Sequence, residues 1–347
     1  MKSDWKSFLA DAGAEFADDL VLHFGNPVRE QEVTLSGTAF ADLSHLGVIA
    51  VHGTDAESFL QGQCSNDVTR TAASSSQLNA YCTPKGRILG LFRLFRIGDT
   101  FYLRLPVDTL EPLLQRLRSY VLRAAVNLED ASGNFIGIGV AGEAAPDELA
   151  AAAVPVPEQV NQVITADALT VLRVPGIHPR YEIYATSLAA ATRLWDALNV
   201  RAAPVGVSAW RLLEIQAGLP AIYARTAELF VPQMVNLQLV NGLDFKKGCY
   251  PGQEIVARTQ YLGSLKRRMY AGHTAADAPP QPGDPLYLKA GDDQVAGRIV
   301  DAQPHPDGGC SALAVIQISA AESDRLRLGA RDGPEFAIRQ LPYPFES

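Results

Sequence analysis

Apolar positions recur in short alternating runs in some stretches and as one-sided stripes in others. Residues 47–52 alternate around Val48, Ile49 and Val51 and predict a strand. Thr54 with Glu57 three residues on makes a capping box ahead of Phe59 and Leu60, so a helix follows and stops at Gly62. Residues 78–82, 87–97 and 101–105 then read as three strands, joined by the turns Thr83-Pro84-Lys85-Gly86 and Gly98-Asp99. Leu110, Leu113, Leu114, Leu117 and Val121 form one helical stripe. Strands are predicted at 135–140, 169–174 and 181–185, and helices at 4–24 (in part), 187–198 and 208–216. Residues 219–254 lack clear periodicity, which in a compact protein points to a functional segment. From about residue 270 Pro and Gly punctuate short strands at 285–288, 295–300, 312–318 and 336–341, the texture of a small antiparallel barrel or sandwich.

Strands that neighbour through short turns, with helices between them, define an α+β fold with antiparallel sheets. Arg87 and Arg93 share one face of the long strand and Arg96 the other; an Arg there is either at the sheet margin or paired. Gly137-Ile138-Gly139-Val140-Ala141-Gly142 fits a dinucleotide fingerprint. Its first two glycines interrupt an apolar strand instead of forming the turn after one, and no βαβ series surrounds it. A small-residue strand packed under a helix is the better reading.

Length favours two or three domains, and the Ala- and Pro-rich residues 143–167 look like a boundary. The net charge of −8 carries no basic tail and argues against tight non-specific nucleic-acid binding. The first residues resemble no secretory leader, and no apolar run reaches membrane-spanning length, so a cytoplasmic protein is expected. Cys64, Cys82, Cys249 and Cys310 are scattered, with no histidine at ligand spacing, so no intrinsic metal is expected. His45 and His52 read as structural.

The densest chemistry lies in Lys246-Lys247-Gly248-Cys249-Tyr250-Pro251-Gly252-Gln253-Glu254. Pro251-Gly252 reads as the centre of a type II turn, with φ preset at Pro and positive at Gly. Such a turn holds Cys249 at a loop edge. Nearby Lys246 and Lys247 favour the thiolate. Two readings stand: an exposed, activated thiol, or a small buried hydrophobe.

Lys-Gly-Cys-Tyr-x-Gly-Gln-Glu, continuing into Ile255-Val256-Ala257-Arg258, resembles the signature of the YgfZ family of folate-binding proteins, relatives of the glycine-cleavage T-protein. The resemblance extends through Asp42-Leu43-Ser44, Phe59-Leu60-Gln61-Gly62-Gln63, Asn66-Asp67-Val68, Thr83-Pro84-Lys85-Gly86-Arg87, Ala217-Gly218-Leu219-Pro220, Pro232-Gln233 with Asn236-Leu237, and Leu341-Pro342-Tyr343. It implies a three-domain T-protein-like ring: two interleaved α+β domains plus a C-terminal β-barrel. Boundaries then fall at 1–145 (completed by part of 205–265), 146–218, a motif-bearing segment 219–265, and a barrel at 266–347.

The resemblance further implies a tetrahydrofolate-binding protein that assists assembly or repair of iron–sulfur clusters and supports tRNA modification indirectly. Its partners would be folate and iron–sulfur clients such as radical methylthiotransferases, with no direct nucleic acid and no membrane. Cys249 would be the functional thiol with Lys247, supported by Gly248, Tyr250, Gly252, Gln253 and Glu254. Gln216, Asp67 and Asn236 are candidates for the polar end of the folate, and Lys247, Arg258 and the run from Lys266 for its tail. Asp67 reads equally as an Asx-turn residue, the run from Lys266 equally as a solvated edge, and Lys85 as a solvated turn residue. The family often has Glu where this chain has Gln216, and an amide accepts through one oxygen only. A tetrahydrofolate-dependent aminomethyltransferase or demethylase is the alternative, but Gly90-Leu91 stands where the transferases carry paired aspartates.

Overall fold

The computed structural model describes residues 1–261, 263, 265–289, 294–322 and 326–345. The chain forms two compact units whose segments alternate along the sequence. The first comprises Met1–Ala56, Arg70–Gln77 and Arg93–Leu213; the second comprises Glu57–Thr69, Leu78–Phe92 and Glu214–Ser347.

The first unit opens with helix α1 (Ser3–Asp11), the hairpin β1 (Glu15–Ala17) and β2 (Leu20–His23), and helix α2 (Pro27–Ser36). Strands β3 (Ala39–Asp42) and β4 (Leu46–His52) follow, then the short helix α3 (Ala56–Gln61), which runs into the second unit. Strand β5 (Gln77–Cys82) lies almost wholly in the second unit, and β6 (Ile88–Ile97) passes from the second unit into the first after Phe92. In the first unit β6 pairs with β7 (Thr100–Pro106), β7 with β4, and β4 with β8 (Asn127–Asp130), all antiparallel. Helix α4 (Val107–Arg118) buries Leu110, Leu113, Leu114 and Leu117. It ends before Val121, because Tyr120 and Val121 donate to carbonyls three residues back and tighten the last turn.

The second sheet of this unit has the order β10-β11-β12-β9-β3-β13. Its later strands are β9 (Ile136–Ala141), β10 (Val163–Ala166), β11 (Leu169–Val174), β12 (Arg180–Ala185) and β13 (Ala203–Val205), with helices α5 (Ala145–Ala151) and α6 (Leu188–Leu198). Ser187 caps α6, which turns Ala191, Leu194, Trp195 and Leu198 into the core. The glycines of the fingerprint-like run sit inside β9, which pairs antiparallel with β3 and β12. A Cβ on Gly139 would come within 2.4 Å of the Trp210 ring, so the glycine makes room for an indole, not a nucleotide. Arg93 is buried and paired: it donates to Asn161 Oδ1 at 2.6 Å and Ser76 Oγ at 3.1 Å.

Helix α7 (Val207–Gln216) carries the chain into the second unit. The irregular residues that follow contain only the 3-10 turns Ala224–Thr226 and Pro232–Val235, then helix α8 (Gln253–Tyr261). Next comes a closed six-stranded barrel of order β14-β17-β16-β15-β18-β19. Its strands are β14 (Arg267–Thr274), β15 (Pro285–Leu288), β16 (Val295–Pro304), β17 (Cys310–Gln317), β18 (Leu326–Leu328) and β19 (Glu335–Arg339), with a one-turn helix α9 (Ile318–Ala321). Strand β14 has no counterpart among the strands expected from the sequence; it opens on two arginines. Leu286, Ile299, Ala312, Ala314, Ile316 and Phe336 fill the interior. Outward residues Met269, Leu313 and Val315 join a second core with Ile215, Phe230, Val235, Leu237, Cys82 and Ile88.

Candidate functional site

The Cys249 loop lies in the second unit and is anchored from three directions. Residues 241–244 are tied to the segment after α3: Ser65 Oγ donates to the Gly242 carbonyl (2.7 Å), Asn66 Nδ2 to the Asn241 carbonyl (2.7 Å), and Asp244 N–H to the Ser65 carbonyl (3.1 Å). Asp244 Oδ1 then accepts from the Lys246 and Lys247 amides at 2.7 and 3.2 Å, which turns the backbone sharply.

That turn sends the Lys247 side chain inward. Lys247 is 8% exposed. Its Nζ donates to the Gln61 carbonyl at 2.6 Å and the Cys64 carbonyl at 2.5 Å. The Gln61 carbonyl ends α3, where helical acceptors lack internal partners and a cation is favoured, and the Cys64 carbonyl lies three residues on. The ammonium also lies 5.2 Å from the centroid of the Tyr250 ring. Burial lowers the Lys247 pKa; Cys64, Asp67, Asp244 and Cys249 oppose that shift. Two of the three ammonium donors therefore brace the loop.

The third anchor is the turn. Gln253 N–H donates to the Tyr250 carbonyl at 3.2 Å, with Pro251 and Gly252 between and Gly252 at φ +81°. That is the type II arrangement expected from Pro-Gly. Gly252 abuts the Thr83–Gly86 turn, where Gly86 has φ +70° and itself packs on Ile255. The turn feeds α8, which Gln233 holds by donating Nε2 to the Val256 carbonyl at 2.6 Å.

Between these anchors Cys249 is exposed, whereas Cys64, Cys82 and Cys310 are buried. Burial pushes Cys64 and Cys82 up to about 12; the charge of Lys247 pulls Cys64 the other way. Gly248 has open space around it. Gln253 Nε2 reaches the Lys247 carbonyl at 3.4 Å, and Glu254 pairs with Arg258 one turn on at 3.1 Å, on the exposed side of α8.

The candidates for a folate sit in different local settings. Asp67 closes an Asx turn, accepting from Thr69 N–H (3.2 Å) and Thr69 Oγ (2.7 Å), and also accepts from Gln61 Nε2 (3.0 Å). Asn236 is buried in the left-handed conformation at φ 57°, with Nδ2 on the Met269 carbonyl at 2.8 Å. Lys266 is exposed just ahead of β14. Gln216 lines a cleft of about 400 Å³ on the barrel and reaches Ser311 Oγ at 3.5 Å. A separate cavity of about 270 Å³ is lined by Gln233, Gln238, Thr259, Gln260 and Arg268. Within it Gln233 Oε1, Gln238 Oε1 and Arg268 Nε are buried without a hydrogen-bond partner. The sequence reading did not select Gln233 or Gln238 as ligands; two amides within six residues, in a segment without periodicity, were the available signal. Among the described residues, no group of three His, Cys, Asp or Glu side chains is placed to hold a metal ion. Nor is any helix among them long and apolar enough to cross a membrane.

An α+β body with a closed barrel and a motif-bearing loop is the architecture of the glycine-cleavage T-protein class. Residues 21–244 match the family described as the GCVT N-terminal domain. The fold aligns with the crystal structure of glycine cleavage system aminomethyltransferase T from Bartonella henselae at a TM-score of 0.78, covering 97% of this chain and 96% of that one. Identity to it is 17%, so the likeness is one of fold. Sequence relatives narrow the class. The chain is 31% identical over 310 residues to tRNA-modifying protein YgfZ of Colwellia psychrerythraea, covering 89% of this chain and 94% of that protein. It is 33% identical over 304 residues to the YgfZ of Escherichia coli O139:H28, covering 88% and 93%. The chain belongs to the YgfZ family.

Proposed function

We propose that this chain is a reduced-folate-binding helper of iron–sulfur enzymes, with Cys249 as its working thiol. The observation that carries this reading is the contrast among the four cysteines: one exposed on a loop anchored at three points, three buried. An exposed thiol on a flexible tip would need none of that bracing. Lys247 serves by holding the loop against the end of α3, so Cys249 is presented in one place. The name carried by the relatives, tRNA-modifying protein, is met indirectly: the clients include enzymes that methylthiolate tRNA, which suits an acidic chain acting in the cytoplasm.

A reduced folate suits residues of this chain on one specific ground. A pterin is flat and edged with N–H donors, and needs buried acceptors. Gln233 Oε1 and Gln238 Oε1 are such acceptors, unpaired and beside the Arg268 guanidinium. Arg258 and Lys266, both exposed and nearby in sequence, supply cations for the glutamate tail. When bound, a reduced folate supplies a carrier for a one-carbon unit. The alternative, an aminomethyltransferase or demethylase, is less favoured: the Gly90-Leu91 position carries no carboxylate, and Leu91 is buried in the apolar core.

The test is complementation of a strain lacking this protein, scored by the fraction of methylthiolated tRNA. Cys249→Ser should abolish complementation while the purified variant keeps its folded spectrum; wild-type complementation by that variant refutes the reading. Calorimetric titration with tetrahydrofolate should give binding in wild type and in Cys249→Ala, since the proposed folate contacts do not include the thiol. Absence of binding in both removes folate from the proposal.

A further inference from the structure

The barrel carries a second polar cleft that the motif does not use. Strand register builds it. On β14, His273 faces Ser311 of β17, and Ala271 faces both Leu313 of β17 and Arg339 of β19. Alternate residues share a face, so His273, Ser311 and Arg339 stand together on the outer wall, opposite the side that Ala312 and Phe336 fill. Ala271, small and on the same face, leaves the space, the backbone of Gly272 and Ala312 lines it, and Gln216 at the end of α7 closes one edge. The cleft holds about 400 Å³.

The β16–β17 turn completes it. His305 N–H bonds the Gly309 carbonyl at 2.9 Å, and Gly309 at φ +65° packs its α-carbon against His273. A Cβ there would lie 2.9 Å from His273 Cε1 and 2.4 Å from the Thr274 carbonyl, so the close approach requires glycine. The two imidazoles meet edge to face, 5.9 Å apart. Their hydrogen bonds fix their tautomers. His273 Nε2 donates to the Gly308 carbonyl at 2.9 Å. His305 Nδ1 accepts the Asp307 amide at 3.2 Å, which leaves the proton on Nε2. Burial holds His305 below its ordinary pKa, hence neutral at pH 7 with that donor intact. The Arg339 side chain is exposed and has no hydrogen bond or ion pair among the described residues. The lining offers a guanidinium, an imidazole N–H, the Ser311 hydroxyl and the Gln216 amide N–H; the acceptors are His273 Nδ1, Gln216 Oε1 and the rim carboxylate of Asp307, so the guanidinium is the cation that an anion would meet.

We propose that this cleft binds a small oxyanion, a phosphate or carboxylate group, held by Arg339 with His305 Nε2 and Ser311 Oγ as neutral donors. A planar guanidinium matches the two oxygens of either group. The proposal shares Gln216 with the folate candidates expected from the sequence, but not Gln233 and Gln238, where the folate reading places its buried acceptors; a chain that binds no folate would still fill this cleft.

The test is a titration at neutral pH of full-length protein with ¹⁵N-labelled histidines, followed by NMR, with inorganic pyrophosphate and, separately, glutarate. His305→Asn identifies the ring signals. The imidazole signals of His305 and His273 should move with an affinity on the order of millimolar, as for a single charged group. The tighter of the two anions identifies the source as phosphate or carboxylate. Arg339→Gln should weaken binding about ten-fold, the loss of one charge-assisted contact. Asp307→Asn should tighten it by about two- to three-fold, because a repelling charge at the rim is gone. Both positions are exposed, so both variants should fold. Unmoved imidazole signals under both anions, or an Arg339→Gln chain that titrates like wild type, overturn the proposal.

Discussion

Gly86 and Gly252 meet back to back: a Cβ on Gly252 would lie 2.7 Å from the Gly86 α-carbon and 2.5 Å from the Thr83 carbonyl. Two turns more than 160 residues apart in sequence are thus fitted together by their missing side chains. Gly252→Ala adds a side chain at φ +81° and a backbone clash, and should cost about 1–3 kcal/mol. Gly248→Ala, four residues away, meets nothing within 4 Å and should change stability by no more than about 0.5 kcal/mol. Denaturant midpoints of the two variants check the contrast; equal midpoints would show that the turns do not need this fit.

Lys247→Met keeps most of the side-chain stem and removes the ammonium. Two bonds, to the Gln61 and Cys64 carbonyls, vanish, and the Cys64 acceptor stays buried. The loss should be about 2–4 kcal/mol. The same variant should let the Cys249 loop move, seen as faster amide exchange at residues 246–250. Unchanged exchange with unchanged stability would remove Lys247 from its bracing role.

The buried thiols predict an alkaline weakening. Cys64 and Cys82 are raised from an ordinary value of 9.0 to about 12. A raised pKa means that the folded chain keeps protons which the unfolded chain releases. Stability from these groups is therefore whole below pH 9 and is lost as pH climbs toward 12, by about 1.4 kcal/mol per pH unit and thiol. Cys82→Ala should flatten the slope measured by denaturation between pH 9 and 10.5. A thiol reagent at pH 8 should label one cysteine of the native chain and four of the unfolded one. Two or more fast thiols would contradict the burial of the others.

In the first unit, Glu182 is fully buried and accepts both Arg104 nitrogens and the Tyr184 hydroxyl, the latter at 2.9 Å. Removing the carboxylate takes both of these bonds from the largely buried Arg104 guanidinium. Glu182→Leu should destabilise the chain by about 3–5 kcal/mol in thermal or denaturant unfolding.

Much of this architecture could be read locally. The meander from β5 to β7, the stripe of α4 and the Pro-Gly turn all announce themselves within ten or twelve residues, because period and turn chemistry are short-range properties. Gly139 was legible as a strand glycine but not as the seat of Trp210, which is 71 positions on. Lys247 was legible only in part. Its closeness to Cys249 in sequence suggested a charge beside the thiol, and the two groups do interact; its bonds to carbonyls 183 and 186 positions earlier are long-range and left no local signal. Strand β14 and the polar cleft over it were hidden for a related reason: a strand that opens on arginines shows its role only once its neighbours set the register.

The alternation of segments between the two units has a consequence during synthesis. The second unit needs Glu57–Thr69 and Leu78–Phe92, but its remaining piece starts only at Glu214. A nascent chain must therefore carry Ile88 and Leu91, both buried at the end, for well over a hundred residues before core partners such as Ile215, Phe230 and Val235 leave the ribosome. The Cys249 loop docks onto the oldest of those segments. A half-made copy consequently has no braced thiol, and its apolar stretches are open to chaperones until translation is nearly done.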